Sequence, residues 1–328
     1  MMIADTQDLP AQARAALAHW PELARRAGLR GAPAAVQVLI HRDQPGTRRA
    51  VLALRADGQA LILKAAAEPW QPDHFDGCLD AMTAAGVATG GGAPRVLARV
   101  AGGQAALLER VAGRSLEQMM EAAEGPQDMR RLFRRGAEWL GRFQRATAAA
   151  PVAFDPAGMI ARHERLRAAV RAGELPVEEP ARFLALSDRF GAVAARAAGH
   201  EVAQSAAHGD LHPGNILIGE GRAAWAIDFN PSRVIWTGQD IADYALSFAL
   251  RFVAPNRQPE GGWLPEPERR AFARGHGADP MAGPVAEALI LAAALRRWQR
   301  IAGREGTGAE RLEALMRVAG RACPGLWT

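Results

Sequence analysis

At 328 residues, 49% hydrophobic and 23% charged, the chain is long enough for two cored units and too apolar to be a disordered or collagen-like protein. A net charge of +5 permits an anionic partner without requiring one. The arginines are spread along helical segments (Arg130, Arg131, Arg134 and Arg135, for example) rather than gathered in one basic arm, which argues against nucleic acid as the main partner.

The opening, Met1 to Asp8, is polar and acidic and lacks the basic-then-apolar layout of a secretory signal. Ala11 to Ala27 has helical composition, with a break at Trp20-Pro21. Three short apolar runs follow, Ala35 to His41, Ala50 to Arg55 and Gln59 to Ala65, and read as strands; Ala56-Asp57-Gly58 is a hairpin turn between the last two. Pro72 to Ala85 reads as a helix closed by Gly86. Pro94 to Val100 and Gln104 to Arg110 read as two more strands.

After Gly113 the pattern turns helical: Leu116 to Ala123, Gln127 to Ala149, Pro156 to Arg171 and Pro180 to Ala198. A β interlude spans Ala203 to Ala226. Helices return at Ile241 to Phe252, Pro267 to Arg274, Pro284 to Gly303 and Ala309 to Cys323, with Pro255 to Pro267 as a long surface loop. The longest apolar stretch, Val285 to Leu295, is interrupted by Glu287 and too short to span a bilayer. Cys78 and Cys323 have no metal-ligand spacing, and a reducing cytoplasm is the simplest setting. The expected organisation is α+β: a β-rich lobe over 1–110 and a large helical lobe carrying a small sheet over 111–328. The oligomeric state stays open.

Two features point to chemistry. Of the 40 lysine and arginine residues one alone, Lys64, is lysine, at the end of the run Ala60-Leu61-Ile62-Leu63. Arginine is a wide planar fork and lysine a compact point charge on a slim stem. A sole lysine in an arginine-biased chain is either a survivor of that bias or a charge that must fit a narrow place.

The second feature is the segment His208-Gly209-Asp210-Leu211-His212-Pro213-Gly214-Asn215-Ile216-Leu217-Ile218, followed by Ile227-Asp228-Phe229-Asn230. Asp210 and Asn215 lie five apart on a Gly/Pro loop, and Asn215 leads into a short strand, a turn at Gly219-Glu220-Gly221 and a second strand that ends at Asp228. Side-chain oxygens without nitrogen or sulfur ligands suit a hard cation such as Mg²⁺. A carboxylate on the preceding loop can accept a proton, and with a phosphate-neutralising lysine these are the parts for phosphoryl transfer.

These motifs resemble the aminoglycoside phosphotransferase/choline kinase family, whose fold is protein-kinase-like. Leu61 to Lys64 is similar to that family's lysine strand, Leu107 to Leu116 to its hinge and following helix, and Asp240-Ile241-Ala242 to the helix start behind the catalytic loop. The resemblance implies ATP and Mg²⁺ as cofactors, a nucleotide-binding N-terminal lobe and a catalytic, acceptor-binding C-terminal lobe. It implies Asp210 as base, Asn215 and Asp228 as metal ligands, Lys64 on the α/β-phosphates, and the backbone of Glu109, Arg110 and Val111 against adenine. Asp240 would brace the catalytic loop, or cap its own helix. His208 would be structural and His212 would shape the loop.

The chain departs from the family in three places. The helix acid that pairs with the lysine has no obvious counterpart; Asp76 is the first choice and Asp80 the second. The expected phosphate-covering loop, Arg42 to Arg49, has one glycine. Asn230 stands where Asp-Phe-Gly would have its glycine.

The short interval from Asp228 to Asp240 leaves no room for a phosphorylatable activation loop, which favours a small-molecule kinase over a protein kinase. The expected partner is a small-molecule hydroxyl acceptor: an amino alcohol, a sugar or sugar-derived metabolite, with an aminoglycoside as a further candidate. Trp236, Asp243, Trp263, Arg297 and Trp298 are candidate acceptor-wall residues. The alternative from another class is a kinase-like nucleotide-binding regulatory protein with little or no turnover.

Overall fold

The structure, a computed structural model, describes residues 9–33, 35–43, 48–66, 72–100, 102, 104–219, 223–231, 233–301 and 308–327. The middle of the expected phosphate-covering loop (44–47) and Glu220-Gly221 of the expected turn lie outside these residues. The chain forms two compact units, one of residues 1–114 with 216–233, the other of 115–215 with 234–328.

The first unit is built on a five-stranded antiparallel sheet of order β1-β2-β3-β5-β4, with β1 Ala35–Arg42, β2 Arg49–Ala56, β3 Gln59–Ala66, β4 Val96–Arg99 and β5 Ala105–Glu109. Strand periodicity decides which side chains meet the core. In β3, Leu61, Leu63 and Ala65 alternate inward and are buried. They pack with Leu52 and Leu54 of β2, Leu107 of β5, and Ala13, Ala16, Trp20 and Leu23 of two leading helices, α1 Ala11–Leu17 and α2 Trp20–Arg26. The same alternation sends Lys64 to the opposite face. Helix α3, Pro72–Ala88, buries Phe75, Leu79 and Met82. It runs two residues past Gly86, the expected end, to Ala88, and is closed by Gly90 N–H donating to Val87 C=O (3.3 Å) and Gly91 N–H to Gly86 C=O (2.8 Å). That is the paired closure that satisfies the last carbonyls of a helix.

The second unit begins where the two-residue strand β6, Arg114–Ser115, passes into α4, Leu116–Glu121. Ser115 and Gln118 cap each other's amides there in a reciprocal box, both at 3.1 Å. Its helical body comprises α5 Pro126–Ala146, α6 Ala157–Arg171, α7 Pro180–Ala197, α8 Gly238–Phe252, α9 Glu266–His276, α10 Gly283–Ile301 and α11 Gly308–Ala322. Phe133 of α5 stacks on Phe248 (3.9 Å) and Tyr244 (5.1 Å) of α8 and leans on Phe272 of α9 (5.7 Å), which locks these three helices. A three-stranded antiparallel sheet, order β11-β8-β7, comes from β7 Ala148–Ala153, β8 Glu201–Ala206 and β11 Val234–Trp236.

The observed units differ from the expected division at 110/111. The boundary falls at 114/115, and the hairpin of β9 Ile216–Ile218 and β10 Ala224–Ala226 belongs to the first unit. Backbone proximity is the reason. Gly113 lies so close to β9 that a Cβ there would stand 2.5 Å from the Ile218 carbonyl oxygen, and Ala226 N–H donates to Gly92 C=O (2.9 Å). Strand β7 also replaces the expected last turn of a helix: Pro151, without an N–H, and the alanines around it take an extended path beside β8.

Candidate active site

In the first unit the Lys64 ammonium donates to Asp228 Oδ1 at 2.7 Å, the lysine side chain 15% exposed and the aspartate 42%. Asp228, two residues beyond the end of β10, adopts φ +59°, a left-handed conformation costly for a residue with a Cβ. Strained backbone of this kind clusters at functional sites. Cys78 of α3 sits close enough to feel both charges; burial raises its thiol pKa, while Lys64 acts in the lowering direction.

The expected partnership of Lys64 with Asp76 is not the one the structure has. Asp76 lies 3.6 Å from Arg99 of β4, and Asp80, one turn on, accepts from the same guanidinium at 2.8 Å. The two acids are i,i+4 on α3 and share one cation. Lys64, on its own strand, reaches Asp228 instead.

At the sheet edge, Glu109 N–H donates to Arg95 C=O (2.9 Å) and Arg110 N–H to Ala60 C=O (3.1 Å). Among the described residues no backbone carbonyl takes the Val111 N–H. The Glu109 carboxylate is held by Arg95 Nε at 3.1 Å.

In the second unit the loop between β8 and β9 is fastened from below. Asp240, 1% exposed, accepts from His208 N–H (2.7 Å) with Oδ2 and from Gly209 N–H (3.0 Å) with Oδ1. It lies in the first turn of α8, whose N-cap is Thr237, so it braces the loop rather than capping its helix. Gly209 has φ +84°, which a residue with a Cβ would resist. His208 is fully buried; its Nδ1 accepts from Asp210 N–H (3.3 Å) and its ring meets Trp139 edge-on. His212 Nδ1 accepts from Gly214 N–H (3.1 Å), a loop-shaping contact.

Buried Asn215 donates through Nδ2 to the Asp210 carbonyl (2.9 Å), which ties the two ends of the motif together and leaves the amide oxygen at the other terminus. The Asp210 carboxylate emerges from this frame half exposed, with Arg300 Nη1 of α10 at 3.9 Å. A carboxylate on a rigid loop, open to a substrate hydroxyl, is the geometry a general base needs.

The structure separates the five candidate wall residues. Trp298 is fully buried, with Nε1 donating to Glu178 C=O (3.0 Å), and Trp263 is buried too. Trp236 packs edge-on against Phe154 at 4.6 Å. Asp243 is held bidentately by Arg296 (3.0 and 3.1 Å), and Arg297 donates to the Asp243 carbonyl (3.2 Å) and to Ser247. Arg296 and Arg300 went unnoticed in the sequence, although an arginine pair and a third arginine at i+3 and i+4 on one helix was a visible signal.

A small antiparallel sheet carrying one buried-stem lysine, joined in sequence to a helical unit whose Asp-centred loop is braced from the next helix, defines the class: this is the protein-kinase-like α+β fold. The family model described as the phosphotransferase enzyme family matches residues 39–280, and the chain belongs to that family. No curated protein sequence matches it.

Among solved structures, a choline/ethanolamine kinase family protein from Mesorhizobium loti has a TM-score of 0.62 at 18% identity, over 98% of this chain and 97% of that one. The aminoglycoside phosphotransferase APH(4)-Ia has a TM-score of 0.63 at 13% identity, over 94% and 98%. A glucosamine kinase, solved with glucosamine, ADP and inorganic phosphate, has a TM-score of 0.57 at 18% identity, over 95% and 85%. At these identities the likeness is one of fold. Among the described residues no helix is long and apolar enough to cross a membrane.

Proposed function

We propose that this member of the phosphotransferase family transfers the γ-phosphoryl group of ATP to a hydroxyl of a small molecule, with Mg²⁺. The observation that supports this most is the framed loop: Asp210 half exposed on a backbone fixed by buried Asp240, His208 and Asn215. A protein selected only to bind nucleotide has no need of a rigid carboxylate on that loop, which weighs against the regulatory alternative.

In this reading Asp210 takes the hydroxyl proton as the acceptor oxygen bonds to the γ-phosphorus, the bond from phosphorus to the β,γ-bridging oxygen breaks, and ADP leaves. Lys64 neutralises phosphate charge from a strand position where its stem is sheltered. The Val111 amide, which no described backbone carbonyl takes, offers a donor to an adenine edge, with Glu109 and Arg110 fixing its strand. Asp76 is better read as a brace that sets α3 on β4 through Arg99 than as a nucleotide contact.

The donor types suit a hard cation: Asp228 would supply carboxylate oxygen, and Asn215 an amide oxygen whose NH₂ end is already engaged. When bound, the cation would supply charge neutralisation for the phosphates. Calorimetry of ATP with wild type and Asp228→Ala, with and without a chelator, tests the reading. Expected is Mg²⁺-dependent binding, weakened about 10–100-fold in the variant, as befits a lost charge-assisted contact. Metal-independent binding of equal strength in both would overturn it. ADP release across a panel of alcohols separates turnover from mere binding.

A further inference from the structure

Asp210 stands next to positive charge, and that bears on what the acceptor is. Helix α10 carries Arg296, Arg297 and Arg300 within five residues, with Arg300 one turn from both others, so helical spacing gathers all three toward one side. Arg296 is consumed: it holds the Asp243 carboxylate with two hydrogen bonds. Arg300 is not. Its side chain is 62% exposed, and its contact with Asp210 is a long 3.9 Å, the kind of solvated pair that forms and breaks freely.

Arg297 is the more telling of the two. It is half-buried, and its guanidinium reaches only neutral oxygens, the Asp243 carbonyl and the Ser247 hydroxyl. Its Nε is buried without a hydrogen-bond partner, and among the described residues no carboxylate lies within ion-pair distance of it. Burial depresses its pKa, while Asp243 and Asp210 are close enough to act in the raising direction.

The acids of α8 offer nothing in exchange. Asp240 is spent on the loop amides and Asp243 on Arg296. A polycationic or amino-alcohol acceptor is received by carboxylates or aromatic faces, and Trp298 and Trp263 are buried while Trp236 packs on Phe154. The described surroundings of the base hold arginine in surplus instead.

We propose that the acceptor is a hydroxylated anion, a small molecule whose hydroxyl faces Asp210 while its carboxylate or phosphate is received by Arg300 and Arg297. This rests on the phosphotransferase reading above and narrows its acceptor class. Arg300, in contact with Asp210 before substrate arrives, turns to the incoming anion. That leaves the Asp210 carboxylate to take the hydroxyl proton as the oxygen–phosphorus bond forms and ADP departs. The separation is short, since Arg300 already touches Asp210, so the anion and the reacting hydroxyl lie a few bonds apart in a compact molecule. Arginine forks match carboxylate and phosphate alike.

The test uses the full chain with Mg-ATP and four probes: glycerate, glycerol 3-phosphate, glycerol and ethanolamine. ADP release is expected to favour an anionic probe over glycerol and ethanolamine by at least tenfold in kcat/KM; glycerate against glycerol 3-phosphate tells carboxylate from phosphate. Arg300→Ala, exposed and safe for folding, should raise KM for that probe about tenfold, the worth of one lost charge-assisted contact, with the KM for ATP unchanged. Arg300→Glu should move preference toward ethanolamine. Arg297→Lys keeps the charge but not the fork and should also raise KM.

Equal or better turnover of ethanolamine or glycerol by the wild type overturns the proposal, as does an Arg300→Ala variant with unchanged KM. If no probe is phosphorylated, the phosphotransferase reading fails for these acceptors. Calorimetric titration of glycerate and glycerol 3-phosphate into the Mg-ATP-saturated protein then decides. Binding lost in Arg300→Ala upholds the anion site, and no binding by either anion at millimolar concentration refutes it.

Discussion

Lys64 and Asp228 in the first unit are joined by one ion pair between partly exposed side chains. Asp210 in the second unit projects from a loop whose backbone is pinned by a fully buried histidine, a buried aspartate and a buried asparagine. Under the proposed function, the difference matches what each would have to do. A cation and a carboxylate that must exchange each other for phosphate and metal cannot be tied down by buried bonds, because breaking those would cost too much. A base must hold its place within a few tenths of an ångström, and only a satisfied, desolvated network does that. The first pair should therefore be sensitive in ligand affinity and the second in rate and stability.

The sharpest way to break the comparison is Asp210→Asn. Asparagine keeps shape and can hydrogen-bond but takes no proton, so transfer should fall about 10²–10⁴-fold, the usual worth of general-base help, with ATP affinity nearly unchanged. An unchanged rate would remove Asp210 as base.

Next comes Asp240→Ala, which removes the Asp240 acceptor from the buried His208 amide and the half-buried Gly209 amide. At about 2 kcal/mol for each orphaned donor, the loss should be about 4 kcal/mol in stability. It should appear as a fall of several degrees in melting temperature, together with slower transfer. A variant that melts like the wild type would show that the brace is dispensable.

The third test is acidity. His276 and His163, both buried in the second unit, have pKa values lowered to about 4, in each case first by burial and then by nearby arginine. His276 Nε2 donates to Gln144 Oε1 (2.8 Å), since the Gln144 amide nitrogen is committed to the Thr237 carbonyl, and Nδ1 is buried without a partner. A proton on Nδ1 would be a buried, unpaired charge. The unfolded chain takes up that proton near pH 6.5 and the folded one only near 4. The stabilisation is therefore whole above 6.5 and is lost as pH falls toward 4, up to roughly 3 kcal/mol per histidine. Melting temperature should fall as pH is lowered from 6.5 to 4, less steeply in His276→Gln; a flat profile would contradict the burial argument.

The smallest expected effect is at the looser pair. Lys64→Arg keeps the charge but puts a wide fork on a stem 15% exposed beside Asp228. Nucleotide affinity should fall about tenfold, close to the loss in Lys64→Ala, equivalent to about 1.4 kcal/mol. Wild-type affinity in the arginine variant would mean that the sole lysine is a survivor of composition and nothing more.

Much of this was written in the sequence. Alternation within Gln59–Ala66 puts Lys64 opposite the leucines whatever else the chain does, because the strand period of two is a local property. The spacing of Asp210, Asn215 and Asp228 around a turn and two short strands is likewise local, and so is the helical run of α5, α7 and α10. Sequence could not settle partners that lie far apart along the chain. Asp76, and after it Asp80, stood as candidates for Lys64 until β4 brought Arg99 to both. Asp240 could have capped its helix or braced a loop until the packing of α8 placed it under His208 and Gly209. Apart from Val152, strand β7 is alanine and proline, residues depleted in strands, and it forms because β8 supplies the hydrogen-bonding edge. Arg296 and Arg297 look alike in the sequence, yet one has a carboxylate and the other only neutral oxygens. Period and spacing are fixed by the backbone within a few residues; the pairing of charges is fixed only when tertiary packing brings distant segments within about 4 Å, the range over which ion pairs act.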